Sequence, residues 1–214
     1  MGTAILSRAE LVTYQRERVI LNATPVFAKR GYQATTVDDL LATGKVGAGN
    51  FYSLFDGKED CFLACFDHAS AEALETISSS TQDAVDWDQA AYLGLAAMLE
   101  FFCAEPLVAR IVLVEAQSAG AAAVARHNAL LDRAVAWLSS GRRAHPEASA
   151  LPPTFEQASV AGFSFYLQQC LLDAHRPPAS QLLSETAGIM LAPIIGDDRL
   201  ALLAREQESA TAAP

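Results

Sequence analysis

Four glycines and two lysines are concentrated between residues 44 and 60, in the sequence GKVGAGNFYSLFDGKED. Such a segment can wrap the phosphates of a nucleotide, or it can form the turn and second helix of a motif that reads DNA. Gly44, Gly47 and Gly49 follow the spacing G-x-x-G-x-G, which differs from both the dinucleotide-binding and the Walker fingerprints. Both fingerprints also need a preceding strand, whereas TTVDDLLATG has the apolar spacing of a helix. A phosphate loop is therefore disfavoured.

Cys61, Cys65 and His68 stand at positions i, i+4 and i+7, and on a helix they would share one face. Such a face could hold a metal ion or act as a thiol sensor. No fourth ligand is visible, and free cysteine is commonly a small buried apolar residue. We therefore interpret the pair as part of a packed helix and predict neither a metal ion nor a cofactor.

Catalytic motifs are missing from the sequence. It contains neither H-E-x-x-H nor G-x-S-x-G, and its histidines form no recognisable catalytic constellation (His68, His127, His145, His175). An enzyme is therefore not predicted. Turnover of a candidate ligand by the pure protein would reopen that reading.

Composition points to a folded chain with two differently charged parts. Of the 214 residues, 51% are apolar and 19% are charged, so a sizeable core can form. No apolar run reaches the roughly 18 residues that span a bilayer, and the first residues lack a signal peptide, so we expect a cytoplasmic protein without a membrane partner. The net charge is −10, but residues 1–58 carry +2 and the remainder −12. Contact with DNA is thereby left to the N-terminal part.

Helical periodicity runs through the whole chain, so the predicted fold class is all-α. A first helix opens at Ser7 with a capping box to Glu10 and ends at Gly31, with a kink at Pro25 or a restart near Asn22. Further helices are predicted over residues 88–104, 106–118, 121–141, 154–174 and 180–195, followed by a polar, frayed tail at residues 205–214.

Between these parts, two short helices joined by a tight turn predict a helix-turn-helix. Thr36 caps the first of them, and Gly44 would adopt a left-handed backbone at its end. In the second, Phe51 and Phe55 are one turn apart and can pack inward, which leaves Asn50, Tyr52 and Ser53 facing outward. An asparagine suits adenine edges or phosphate, and a tyrosine hydroxyl suits phosphate. Lys58 opens the next helix, where free N–H groups also favour phosphate. A small helical hairpin whose residues merely pack is the alternative.

Residues 16–66 resemble the N-terminal domain of TetR-type transcriptional regulators. The resemblance is carried by VFAKRGY, TTVDDLL, GNFYSLF and GKEDCF in this order, and more weakly by IVLVEAQSAG and ARHNALLDRAVAWL further on. It implies an all-helical homodimer, with a DNA-binding domain over residues 1–58 (helix-turn-helix at about 36–55) and a ligand-binding and dimerisation domain over residues 59–214. The implied function is a repressor released from an operator in double-stranded DNA by a small-molecule effector. The alternative is a helical ligand-binding or scaffolding dimer without specific DNA binding.

The resemblance also assigns roles to positions in this chain. Ala48 to Phe55 would be the recognition helix, with phosphate contacts from Thr36, Tyr52 and Lys58. Gly47 and Ala48 stand where capping or polar residues are common, so the helix has few polar readers. Specificity would then depend on Asn50, Lys45, contacts between Ala48 and thymine methyl groups, and DNA shape.

The C-terminal part offers a candidate pocket and a candidate dimer face. Apolar and aromatic residues after position 88 could line a cavity, although each could equally be core. This pocket set comprises Met98, Phe101, Phe102, Glu115, Trp137, Phe163 and Tyr166. Small residues on the last two predicted helices permit close approach of a second subunit. This dimer set comprises Ala158, Ala161, Gly162, Phe165, Ala187, Gly188, Leu191 and Ile195.

Overall fold

The computed structural model describes residues 7–44, 46–173 and 176–212, and within these ranges every regular element is a helix. The all-α prediction is therefore confirmed. No helix in the described ranges combines the length and apolar character that a membrane span requires. The α-helices are α1 Arg8–Arg30, α2 Val37–Gly44, α3 Ala48–Leu54, α4 Lys58–Thr81, α5 Trp87–Ala104, α6 Pro106–Leu113, α7 Ala121–Ser139, α8 Gly141–Ala144, α9 Phe155–Leu172, α10 Ala179–Met190, α11 Ala192–Ile195 and α12 Asp197–Ala212. Two 3-10 helices cover Glu115–Ser118 and Pro146–Ala150.

The chain forms two compact units. The first unit contains the described residues through Ala71 together with Leu107–His127, and the second contains Glu72–Pro106 together with the described residues after His127. Helices α4 and α7 each contribute residues to both units. The functional boundary expected after residue 58 stays a prediction.

Helix α1 begins and ends where the local signals predict. The Ser7 N–H donates to Glu10 Oε2 at 2.7 Å and the Glu10 N–H donates to Ser7 Oγ at 3.3 Å, which forms the predicted capping box. The helix ends at Gly31, whose φ of 82° lies in the region that favours glycine. It continues through Pro25, so the restart near Asn22 is not observed. Leu21, whose carbonyl loses its helix partner at Pro25, lies on an exposed part of the helix, where water can replace that partner.

An aromatic core holds the first unit together. The side chains of Phe27, Phe51, Phe55 and Phe62 are at most 2% exposed. The ring of Phe62 meets that of Phe27 edge-on at 5.2 Å between centroids and that of Tyr32 at 5.1 Å. Burying each such ring is worth about 1.5–3 kcal/mol, and the contacts of Phe62 fix α4 against α1.

The predicted thiol pair belongs to the same core. Cys61 and Cys65 are both fully buried, as the packed-helix interpretation expects. The hydrogen bond to Cys65 and burial raise the pKa of the Cys61 thiol, which keeps it neutral. Among the described residues no cluster of three His, Cys, Asp or Glu side chains could hold a metal ion.

The second unit is organised around Trp87 at the start of α5. Its indole N–H donates to Ser140 Oγ at 2.9 Å, and its ring packs against that of Trp137 at 5.6 Å between centroids, with the two planes tilted by 33°. Gly141 lies so close that a Cβ atom there would stand 2.6 Å from the Trp87 ring. Only glycine fits at this position, which also begins α8.

The C-terminal segment is helical, in contrast to the frayed tail predicted for residues 205–214. Helix α12 runs from Asp197 to Ala212, whereas residues 213 and 214 lie outside the described ranges. Arg199 anchors the helix, because its guanidinium donates to Asp86 Oδ2 at 2.6 Å and to Asp88 Oδ2 at 3.1 Å. Leu203 adds a buried apolar contact at 2% exposure. These partners lie more than a hundred residues away, which is why the local polar composition misled the prediction.

Candidate nucleic-acid interface

The first helix of the motif, α2, is capped as the sequence predicts. Thr36 Oγ1 accepts from the Asp39 N–H at 3.2 Å, and Asp39 Oδ2 accepts from the Thr36 N–H at 2.9 Å. Arg30 pairs with the same carboxylate at 2.5 Å. The hydrogen bonds between Asp39 and Thr36 lower the pKa of the Asp39 carboxyl, and Arg30 adds a smaller effect in the same direction. The Asp39 carboxylate therefore stays ionised at neutral pH. Thr36 itself is exposed.

The second helix, α3, is short and is held by its inner face. Its N-cap is Gly47, which has no side-chain hydrogen bond, so the helix receives no capping contact. Phe51 is 1% and Phe55 is 2% exposed, which confirms their inward packing, and Leu54 is buried beside them. The orientation of α3 is therefore set by its apolar face, because its beginning contributes little.

The outer face of α3 is small and uncharged. Ala48, Asn50, Tyr52 and Ser53 are all exposed, and Tyr52 reaches 57%. Ser53 Oγ donates to the Asn50 carbonyl at 2.7 Å, so its hydroxyl is engaged within the helix. The outward orientation predicted for Asn50, Tyr52 and Ser53 is therefore observed. Their contacts with DNA stay predictions.

Two glycines of the motif play different parts from those expected. Gly44 is the buried last residue of α2 and does not have a positive φ, so the predicted left-handed backbone is wrong. A Cβ atom at Gly44 would meet the Val46 side chain at 3.4 Å, an ordinary van der Waals distance, so the space at this position does not require glycine. Gly49 has open space where a side chain would stand, so it presents bare backbone on the outer face.

Of the two lysines predicted to contact DNA, the structure describes only Lys58. Lys45 lies outside the described residues. The Lys58 ammonium donates to the carbonyls of Tyr32 at 3.0 Å and Thr35 at 2.9 Å, and it lies 4.2 Å from the centre of the Tyr32 ring. Lys58 therefore stabilises the turn between α1 and α2. Its phosphate contact stays a prediction.

Arg16 is an organising residue that the sequence analysis missed. Its guanidinium donates to the Leu54 carbonyl, lies 4.2 Å from the centre of the Phe55 ring, and approaches Asp60 at 3.8 Å. It therefore joins α1 to the end of α3 and the start of α4. Nothing in the sequence pairs an arginine with a carbonyl 38 residues away.

Glu115 differs from its predicted role in a ligand pocket. The carboxylate is buried, accepts from the Tyr32 N–H at 2.8 Å, and pairs with Arg110 at 3.2 Å. Arg110 also donates to the Ala28 carbonyl at 2.8 Å. Glu115 thus belongs to the first unit, where it holds the turn that leads into α2.

The other predicted pocket residues are largely occupied with packing. Trp137 packs against Trp87, and the Tyr166 hydroxyl donates to Glu185 at 2.6 Å. Phe102 is buried, and the remaining three are half-buried. A cavity of ≈ 710 Å³ does lie in the second unit between α5, α10 and α12, but none of the seven predicted residues lines it. Large aromatic side chains fill space, and the small residues of these three helices leave it open. The half-buried residues are Met98, Phe101 and Phe163.

The predicted dimer face is only partly free. On α9, Ala158, Ala161 and Gly162 are exposed and Phe165 is 62% exposed. On α10, Gly188 is exposed and its neighbour Ile189 is 65% exposed. These six residues are called the α9–α10 face below. By contrast, the other three predicted positions are buried inside the subunit and cannot reach a partner: Ala187, Leu191 and Ile195.

Comparison with known proteins places this geometry in context. Residues 20–65 match the family described as bacterial regulatory proteins, tetR family. Over 91 residues the chain is 30% identical to the uncharacterized HTH-type transcriptional regulator YhgD of Bacillus subtilis (strain 168), covering 42% of this chain and 48% of that protein. Over 69 residues it is 33% identical to the HTH-type transcriptional repressor DhaR of Mycobacterium sp. (strain GP1), covering 32% and 35% respectively. The chain thus spans less than half the length of these curated relatives.

The fold extends the likeness beyond the N-terminal part. The chain is similar to the transcriptional regulator FadR from Bacillus subtilis in complex with stearoyl-CoA, with a TM-score of 0.63 at 13% identity. The match covers 84% of this chain and 98% of that one. Identity at this level shows a common fold and carries no ligand from one protein to the other.

Proposed function

We propose that the chain is a ligand-responsive transcriptional repressor of the tetR family, a proposal supported by the match of residues 20–65 to the tetR family of bacterial regulatory proteins. The observation that carries this proposal is the outer face of α3. That face is exposed, uncharged and backed by the buried rings of Phe51 and Phe55, so it is rigid and free to enter a groove. We place its action in the cytoplasm, on operator DNA.

Recognition of the operator would depend on a few polar side chains and on close approach of the α3 backbone to the bases. Asn50 can bond an adenine edge in the major groove, and Ala48 can contact a thymine methyl group. The hydroxyl of Tyr52 can donate to a phosphate, and that of Thr36 can do so once it turns away from Asp39 Oδ2, to which it donates at 2.7 Å. Lys45 and Lys58 are proposed as further phosphate ligands. Bare backbone at Gly49 lets the helix come near the bases. With so few readers, sequence-dependent DNA shape would supply part of the specificity.

A second subunit would supply the matching reading helix. Two such helices must stand about 34–36 Å apart to enter successive major grooves. The α9–α10 face offers the contact, because Phe165 and Ile189 are exposed apolar side chains beside Gly162 and Gly188. The two glycines have nothing within reach of a Cβ atom in the subunit, so a partner helix can approach closely. We propose a homodimer built on this face.

Release from DNA would follow from ligand binding in the second unit. An effector shifts the equilibrium only by its differential affinity for the DNA-bound and free conformations. No chemistry on the effector is required, so the protein is proposed not to be an enzyme. The repressor DhaR among the curated relatives supports the negative sign of regulation, and the stearoyl-CoA complex of FadR supports a small-molecule effector in this fold.

Fluorescence anisotropy with the protein's own upstream DNA, at several stated salt concentrations, tests the proposal. Asn50→Ala and Tyr52→Phe should each weaken specific binding about tenfold, while binding to unrelated DNA changes little. Asn128→Ala and Tyr14→Phe are matched controls, because both residues are exposed and lie outside the helix-turn-helix. Equal affinity of the wild type for upstream and unrelated DNA would favour the rival function, a helical ligand-binding dimer without specific DNA binding.

A further inference from the structure

We propose that the cavity between α5, α10 and α12 binds an amphiphilic organic cation. The cavity lies wholly within the second unit and measures ≈ 710 Å³. Pockets for small organic ligands have volumes of roughly 300–1,000 Å³, so it can hold a molecule of that class. The assignment depends on the proposed function only in giving this ligand the role of effector.

The walls of the cavity are suited to an apolar chain. Leu183 on α10 and Leu200 on α12 contribute branched side chains. The remaining apolar wall consists of alanines from all three helices, whose small side chains leave space for a ligand. The ring of Tyr92 on α5 adds a flat aromatic surface and is only 7% exposed. An alkyl chain or ring system laid on these groups would leave water, and this burial of apolar surface favours binding.

The negative charge of the cavity lining favours a ligand with a positively charged head group. Glu100 on α5 and Asp197 and Glu208 on α12 contribute three carboxylates, and all three residues are exposed at the cavity. Within the described part of the chain none of them forms an ion pair, and no lysine, arginine or histidine lines the cavity. A cationic head group would find complementary charge here, whereas an anionic one would be repelled by the three carboxylates.

The negative charge of the cavity lining also affects the Tyr92 hydroxyl on α5. Burial raises the pKa of the Tyr92 hydroxyl, and the negative charge of Glu208 raises it further. The carboxylate on α12 therefore acts on a group of α5 on the opposite wall.

The cavity shares no residue with the surface proposed for the dimer. Ala187 lines the cavity, whereas Ile189 belongs to the α9–α10 face. Residues two positions apart on an α-helix are separated by about 200° of rotation, so these two side chains point to nearly opposite sides of α10. Gly188 of the face lies one turn after Ser184 of the cavity wall, so the two surfaces adjoin along α10.

Isothermal titration calorimetry with two probes of equal chain length tests the charge preference. The probes are decyltrimethylammonium and decanoate. Both probes have a linear chain of ten carbons, which in decanoate includes the carboxylate carbon, and they differ in the sign of the head group. We expect decyltrimethylammonium to bind the full-length protein at least about tenfold more tightly than decanoate, with an advantage that shrinks as salt increases. Equal binding of the two probes, or tighter binding of decanoate, would overturn the proposal.

Variants locate the binding to this cavity. The triple variant Glu100→Gln, Asp197→Asn and Glu208→Gln should lose about tenfold or more in affinity for the cationic probe and should bind decanoate more tightly than the wild type does. Asp198→Asn combined with Glu206→Gln is the matched control, since both carboxylates are exposed on α12 and neither lines the cavity. If the control variant loses as much affinity as the triple variant, the site is not here.

A DNA-binding measurement separates this inference from the proposed function. If the cation binds as described and the protein shows no specific operator, the cavity assignment stands and the regulatory function fails. If the operator is bound and the cation is not, the regulator stands and the cavity assignment fails. Binding of both, with release of DNA by the cation in the wild type but not in the triple variant, supports both.

Discussion

The carboxylate of Glu115 accepts a hydrogen bond from the backbone N–H of Tyr32 at 2.8 Å, although the two residues are 83 positions apart. On the other side of the same residue, the Lys58 ammonium donates to the Tyr32 carbonyl at 3.0 Å. The turn between α1 and α2 is therefore held through both backbone polar groups of Tyr32, its N–H and its carbonyl. The segment after α6 thus helps to set where the helix-turn-helix begins.

Removal of the Glu115 carboxylate should destabilise the protein. Glu115→Ala leaves the Tyr32 N–H and Arg110 without their buried acceptor and should lower the free energy of unfolding by about 2–3 kcal/mol, measured by urea denaturation. Glu115→Gln keeps one carbonyl oxygen for Tyr32 and should cost less than the alanine variant. Glu105→Gln changes an exposed carboxylate and serves as the control. Equal stability of Glu115→Ala and the wild type would show that the contact is unimportant.

Gly31 and Gly49 should respond oppositely to the same substitution. Gly31→Ala places a Cβ atom on a backbone with φ of 82° and 3.4 Å from Glu115 Oε2, so a loss of about 1–3 kcal/mol is expected. Gly49→Ala fills open space inside a helix and should leave stability unchanged or raise it by about 0.5–1 kcal/mol. Thermal and urea unfolding would compare both variants. A neutral Gly31→Ala would contradict the prediction.

Gly141 should tolerate no side chain. A Cβ atom there would lie 2.6 Å from the Trp87 ring, so Gly141→Ala must displace the indole and should cost about 1–3 kcal/mol. A change in tryptophan fluorescence should accompany the loss, because Trp87 also packs against Trp137. Gly49→Ala is the control, as nothing within the subunit approaches that position and it lies outside the proposed dimer face. An unchanged emission spectrum together with unchanged stability would show that the ring has room to move.

The stability of the second unit should depend on the protonation of His145. Burial acts to lower the pKa of His145, but the hydrogen bond and charge of Asp88, at 2.5 Å, together with Glu147, raise it above its ordinary value of 6.5. The folded protein then holds the proton more tightly than the unfolded chain. The contribution is complete below pH 6.5 and is lost as the pH rises through the folded pKa.

His145→Gln provides the measurement. Between about pH 6 and pH 8 the wild type should lose more unfolding free energy than the variant, whose side chain does not titrate. Urea denaturation across this range gives both slopes. Parallel slopes would mean that another group carries the pH dependence.

Local sequence was sufficient for the elements that form the reading surface. The capping boxes at Ser7 and Thr36 connect residues three positions apart, so their partners are visible in the sequence, and both form in the structure. The inward packing of Phe51 and Phe55 likewise follows from helical spacing, which also sends Asn50 and Tyr52 outward.

Contacts between distant residues decided the rest. Glu115 could equally have lined a pocket, and only the approach of the α1–α2 turn made it an anchor for Tyr32. The polar end of the chain forms helix α12, which the ion pairs of Arg199 with Asp86 and Asp88 hold in place. The cavity lies among small residues of three helices, whereas the predicted aromatic residues fill the interior. Composition alone cannot distinguish a side chain that encloses space from one that occupies it, because that depends on which helices become neighbours.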